Sequence, residues 1–535
     1  MISLLKKMKT SKGIYRLTCL KVFAILFAVL GNELATAKSL VFGRGGDSVN
    51  LDPAGVTDGE SLNVTDNIFD NLVTYKIGTT DIIPALATNW EISKDGKTYT
   101  FFLRENVKFH DGTPVNAEAV VYSLKRQYDK THEAYKWGGP YVYFTSLGLQ
   151  TLIEDIKAPG PNKVVFKLKR NDATFLSLMT MQSLAVVSPT AMRKYKKDFG
   201  QNPVGSGAFV FRKWEKNQKI ILKANKDYWA GTPKLKTLIF RSIPDNNTRM
   251  IEMMAGKIHV MDNPNPDDIT ELKKRRGDKL VFAQKPGFNV GYLAMNNEKE
   301  PFNNVKVRKA IAHAINKKGI VDAVYAGYAK VAKNPMPPTL WGYNNALVDH
   351  SYDIAKAKKL LKEAGYEKGF TTTLWAMPVP RPYMPDGRKV AEAIQGDLAK
   401  IGITAKIVSY EWGTYLDKTQ VGEHDMALLG WTGDIGDPDN FLYVLLDKTN
   451  AVKPAQNISF YKSDDLHKVL IEAKQSRSKE ERVKLYQKAQ AIIHADVPLV
   501  PLAHSVTVIP HSKTVKNFVV DPTGRRRFAN VSISR

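Results

Sequence analysis

The only cysteine of the chain, Cys19, stands upstream of an apolar run near the N-terminus, and this placement constrains the fold more than any other feature. Lys6, Lys7, Lys9, Lys12, Arg16 and Lys21 lead into "VFAILFAVL" (22–30), nine apolar residues where a bilayer span needs about 20. "ATA" (35–37) follows with the small side chains of a signal cleavage site. Residues 1–37 are therefore expected to be a signal peptide cut after Ala37, with Lys38 as the mature N-terminus. A lipid anchor is disfavoured, because a lipoprotein cysteine would stand at the cleavage point. The exported chain would contain no cysteine, so hydrophobic cores alone must hold it. A chain of 535 residues is long enough to build them but too long for one, and two or three domains are expected.

The formal charge of +25 falls to about +20 without the leader's six basic side chains and one acid, Glu33. Such an excess suits nucleic acid, an anionic membrane face or an anionic ligand. The lysines are scattered rather than run together, and export argues against nucleic acid. They read mainly as a solvated surface. No later apolar run approaches spanning length, so a soluble mature chain is expected.

Short strands alternate with helices. "SLVFG" (39–43) predicts the first strand, "YTFFLRENVKF" (99–109) a strand, turn and strand, and "VVFKLK" (164–169) and "KIILKA" (219–224) further strands rich in β-branched residues. "NNVKVRKAIAHAIN" places Val307, Ile311, Ala314 and Ile315 on one helical face. A second helix runs from an N-cap at Asp353 to Gly365, and a third opens with a capping box at Ser478 and Glu481. The strand-like "VPLVPLA" (497–503) follows it. Without a strict βα repeat, the pattern predicts a mixed α/β chain of several lobes. Internal repeats and low-complexity segments are not evident.

Most catalytic signatures fail. HExxH, a Cys/His cluster and a P-loop do not occur, so no metal or cofactor is expected. "GSG" (205–207) is not a nucleophile elbow, because Val204 and Ala208 stand where glycines are required. "GRGGDS" (43–48) has Ser48 at the third glycine of a dinucleotide loop. "GWTGDIGDPDNF" (430–441) holds three acids, yet Gly436, Pro438 and Leu445 break a calcium loop. Asp437 and Asp439 flank a proline and are expected to be turn and cap residues. Asp434 differs: it follows the apolar "MALLGWT" where the chain turns, and a carboxylate there can face a cleft.

At this point the sequence resembles the extracellular solute-binding proteins of peptide-type ABC importers (solute-binding family 5), in particular the dipeptide-binding members. The similarity is carried by "PALATNWEISKDGKTYTFFLRENVKFHDGTPVNAEAVVYS" (84–123), "NPVGSGAFVF" (202–211), "GFNVGYLAMN" (287–296), "LWAMPVPRPYMP" (374–385), "SYEWGTYL" (409–416) and "GWTGDIGDPDNF". It implies a two-lobed type II periplasmic-binding fold with an extra domain inserted in the first lobe. The first lobe would combine 38–80, 202–286 and 504–535, the inserted domain 81–201, and the second lobe 287–503. It also implies a periplasmic location, a small peptide ligand, and a permease of an ABC transporter in the inner membrane as partner. A monomer without enzymatic activity is expected.

A free dipeptide is a short zwitterion whose charged ends lie a nearly fixed distance apart. By the resemblance, Asp434 takes the α-ammonium and Arg381 grips the α-carboxylate with two parallel hydrogen bonds. Trp412 and Tyr383 would form cleft wall, Thr57 would add a hydroxyl, and Gly59 would let backbone approach the peptide. By residue type alone, Arg381 between two prolines suits an exposed turn equally, and Tyr383 and Trp412 suit a core. "VTDGES" (56–61) departs from the dipeptide-binding pattern at Glu60 and is one residue shorter. Haem, glutathione or longer peptides therefore stand as alternative ligands. An exported peptidase is a third reading that the failed catalytic motifs disfavour.

Overall fold

A computed structural model describes residues 39–534; the expected signal peptide lies outside the described residues. Its backbone is a twelve-stranded mixed sheet. Along the main path the strands run Thr404–Val408, Thr371–Trp375, Met426–Thr432, Asn289–Met295, Leu499–Ser512, Val260–Met261, Ser39–Arg44, Thr237–Ser242, Lys219–Ala224 and Phe209–Glu215. Leu280–Pro286 and Ala329–Val331 join by pairing with Leu499–Ser512.

Leu499–Ser512 passes through both halves of this sheet. Its first residues pair with Asn289–Met295 and its last with Leu280–Pro286. Pro501 has no N–H to give the ladder, and the register shifts opposite it, between Gly291 and Tyr292. At the changeover Asn289 replaces the missing ladder bonds: its amide donates to the Ser505 carbonyl at 3.0 Å and accepts from the Ser505 N–H at 2.9 Å. Two lobes meet at this strand, as the resemblance implies.

Each lobe has its own core. In the first, Leu40 and Phe42 of Ser39–Arg44 are fully buried, and Phe42 meets Phe240 and Phe528 edge-on at 5.5 and 5.6 Å. In the second, the predicted helix forms as Val305–Ala314 and buries Val307, Ile311 and Ala314 against Leu374 and Leu428. Ile315 is buried too, but as an extended residue closing the helix. The Asp353 cap accepts from the Lys356 N–H at 2.8 Å, and Gly365, with φ +85, follows the helix end. Ser478 caps Lys479–Asp496, but Glu481 bonds the Ser476 hydroxyl instead of returning to the cap, so the box is half made.

A separate four-stranded antiparallel sheet, ordered Ala87–Ile92, Thr98–Leu103, Lys163–Leu168 and Ile153–Gly160, forms the extra domain. The strand expected after Thr98–Leu103 is only an isolated bridge between Lys108 and Pro114, because Asn106 turns at φ +61 and Val107 and Phe109 drop into the core. Phe101 and Phe166 of this sheet share one buried cluster with Tyr292, Phe441 and Leu470 of the second lobe. Among the described residues no helix is long and apolar enough to cross a membrane, and no group of three or more His, Cys, Asp or Glu could hold a metal.

Candidate functional site

The space between the lobes is a cleft of about 1260 Å³, counted with its open mouth. Thr57, Gly59, Arg381, Tyr383, Trp412 and Asp434 all line it. The sequence places these six in four separate stretches, and the fold brings them to one cavity.

On the first-lobe wall, Asp58 caps the helix Gly59–Thr65 by accepting from the Ser61 N–H at 3.1 Å. The helix start thereby faces the cleft. A Cβ added at Gly59 would meet nothing within 4 Å, so this position opens onto free space. Glu60, one residue on, is 1% exposed. Its carboxylate lies 2.9 Å from Arg381 Nη1 and 3.5 Å from Arg44 Nη1. Burial raises its pKa, and the Arg381 and Arg44 charges pull against that rise.

On the second-lobe wall, Arg381 begins a tight turn in which Arg381 and Met384 exchange backbone hydrogen bonds at 3.0 and 2.9 Å. The flanking prolines stiffen this turn, and the residue is buried rather than exposed. Its Nη1 donates to Glu60 and to the Pro380 carbonyl, while Nη2 is buried without a partner. The two-handed grip expected of Arg381 is thus already half engaged by Glu60. The guanidinium lies over the Trp412 ring at 5.0 Å, and the Trp412 indole N–H donates to Asp58 across the cleft at 3.4 Å. Tyr383 packs against the backbone of Met426–Thr432, where a Cβ at Gly430 would sit 2.1 Å from its ring. Tyr325 donates to the Tyr383 carbonyl at 2.7 Å.

The three acids of "GWTGDIGDPDNF" separate. Asp437 accepts from the Asp439 N–H at 3.1 Å, as a turn residue should, and also pairs with Arg482 at 2.8 Å. Asp439 is not a cap. It begins the helix Asp439–Leu446, is fully buried, and pairs with Lys474 at 3.0 Å. The local sequence cannot show this, because Lys474 comes from another helix. Asp434 alone faces the cleft. Asn440 holds its turn by accepting from the Asp434 N–H at 2.8 Å and the Trp431 indole at 3.0 Å. The Asp434 carboxylate accepts from Tyr143 at 3.1 Å, and no cationic side chain among the described residues lies within ion-pair distance. Burial pushes its pKa up to about 7, against the Tyr143 and Asn440 hydrogen bonds.

Other cleft residues carry no local motif. Tyr143 reaches in from the extra domain. Arg525 pairs with Asp66 at 2.5 Å and Arg526 with Asp262 at 3.0 Å, so residues near the C-terminus build the floor. The run "GRRRF" (524–528) was the one sequence signal for them. The chemistry of the cleft is that of a binding site with charges at its walls: an unpaired carboxylate at Asp434 and an unmet N–H at Arg381.

Comparison with known proteins gives the family and the fold. The family model for bacterial extracellular solute-binding proteins, family 5 (middle region), matches residues 81–453. A dipeptide-binding protein of Escherichia coli is 42% identical over 527 residues, covering 96% of this chain and 98% of its own. Heme-binding protein A of Haemophilus influenzae is 40% identical over 498 residues, covering 91% of this chain and 90% of its own. A solved periplasmic binding protein from Helicobacter pylori, associated with an ABC transporter and in complex with the peptide STSA, superposes with a TM-score of 0.88. It is 42% identical and covers 93% of this chain and 98% of its own.

Proposed function

The chain belongs to the bacterial extracellular solute-binding proteins, family 5, and from that premise we propose that it captures short peptides, dipeptides foremost, for an ABC importer. It is a binding protein and not an enzyme. The observation that carries the reading is a pair of incomplete charged groups on two cleft-lining residues, the Asp434 carboxylate and the buried Arg381 Nη2. The ammonium of a peptide supplies the cation that Asp434 lacks, and its carboxylate supplies an acceptor for Nη2. Thr57 and Gly59 face the peptide from the first lobe, and Tyr383 and Trp412 from the second. The lobes close over the ligand about the strand Leu499–Ser512, and the closed form docks on a permease.

The same reading assigns 38–80, 202–286 and 504–535 to the first lobe, 81–201 to the inserted domain and 287–503 to the second lobe. The mature chain begins at Lys38 and acts in the periplasm. Calorimetry with a panel of free dipeptides tests the function. Affinity unaltered in both Asp434→Ala and Arg381→Ala would sink the two-ended clamp.

The 40% identity to a heme-binding protein supports a second reading, haem in the same cleft. The described residues lining the cleft include no histidine or cysteine, leaving Tyr143, Tyr383 and Met181 as the candidates to approach an iron. A haem absorbance titration with and without saturating dipeptide separates the two: competition places both in the cleft, and no spectral change removes haem.

A further inference from the structure

We propose that Glu60 sets how strongly the cleft demands a free carboxylate on its peptide, an inference that rests on the peptide-binding reading above. A guanidinium grips a carboxylate best with two adjacent N–H groups. Here Arg381 Nη1 already serves Glu60 at 2.9 Å and the Pro380 carbonyl at 3.0 Å. Nη2 remains, buried and without a hydrogen-bond partner, on a cleft-lining residue only 7% exposed.

Glu60 is not free to withdraw. It sits in the first turn of Gly59–Thr65, its carboxylate also faces Arg44 at 3.5 Å, and its carbonyl accepts from Arg44 at 2.5 Å and Ser48 at 2.9 Å. A ligand carboxylate at Arg381 therefore gains one N–H and a fixed negative neighbour. Asp58 adds a second, because it bonds the Trp412 indole on whose ring Arg381 lies. Two carboxylates sharing one cation repel, and the mobile one bears the cost. A peptide without a carboxylate at that point forfeits one hydrogen bond and escapes the repulsion. The ligand class is then peptides with a free N-terminus at Asp434 whose C-terminus is free or amidated.

The test compares Ala-Phe with its C-terminal amide by calorimetry, on the full mature chain and on Glu60→Gln. Glutamine keeps the shape and an acceptor for Arg381, while Arg44 keeps Asp47 at 2.9 Å. The unmodified protein should bind the two probes within roughly a hundredfold of each other. Glu60→Gln should tighten the free acid roughly tenfold or more and move the amide less than about threefold. An unmodified protein that rejects the amide by more than that hundredfold overturns the proposal, and this arm needs no variant to fold. An acid-to-amide ratio unmoved in a folded Glu60→Gln overturns it as well. Failure of the unmodified protein to bind either probe defeats the peptide-binding reading itself and the proposal with it.

Discussion

Asp434 carries the most at the scale of single residues. Its folded pKa stands near 7 against 3.8 for the ordinary carboxyl. Between those values the folded chain holds a proton that the unfolded chain has released, so stability falls as pH rises through that window and levels above it. An incoming ammonium favours the ionised form, so peptide binding at pH 6 should release a proton. Binding at pH 8.5 should not. Calorimetry in two buffers of different ionisation enthalpy reads the difference, and Asp434→Asn should remove the release and weaken binding at least roughly tenfold. The family resemblance marked Asp434, Arg381 and Trp412; by residue type alone Arg381 suited an exposed turn equally and Trp412 a core. The sequence could not separate Asp439 from a cap or show that Glu60 holds Arg381, because both facts depend on partners far along the chain.

At the scale of elements, buried ion pairs fix the ends of helices. Lys474, at the end of Asp464–Gln475, is 2% exposed and pairs with Asp439 at 3.0 Å and Asp172 at 3.9 Å. Asp172 lies just past the strand Lys163–Leu168, so one lysine ties the end of the four-stranded sheet to the helices Asp439–Leu446 and Asp464–Gln475. Lys474→Ala leaves two buried carboxylates without a cation and should cost about 3–5 kcal/mol, seen as a lower denaturation midpoint. Lys474→Ala combined with Asp439→Asn should recover part of that loss. Gly430→Val tests another element: its side chain would enter the Tyr383 ring, so the cleft wall must shift and peptide affinity should drop with little change in far-UV dichroism. The helices were legible because their caps and apolar spacing are local. The twelve-strand order was not, because a strand such as Val260–Met261 is two residues long and exists only by pairing with Ser39–Arg44 and Leu499–Ser512.

At the scale of the whole molecule, contacts across the cleft run through the residues proposed to hold the peptide. Glu60 with Arg381, Asp58 with Trp412 and Tyr143 with Asp434 join separate walls. A peptide that satisfies Asp434 and Arg381 strengthens this set, so ligand should shift the lobes toward the closed form. Small-angle scattering should show a smaller radius of gyration with saturating dipeptide, and Arg381→Ala should blunt the change. An identical radius with and without bound peptide would contradict closure. Chain length called only for two or three domains, and the two-lobed architecture was readable through the family resemblance carried by the ordered motifs.

The contact of Phe528 with Phe42 concerns the order in which the chain is made. Ser39–Arg44 is translated long before Phe528, yet the core it belongs to is sealed by that residue. The first lobe therefore has no finished interior until Phe528 has been made. A chain ending before Phe528 should show the protease sensitivity of an unfolded first lobe. Until then Phe42 of Ser39–Arg44 lacks one of the two rings against which it packs.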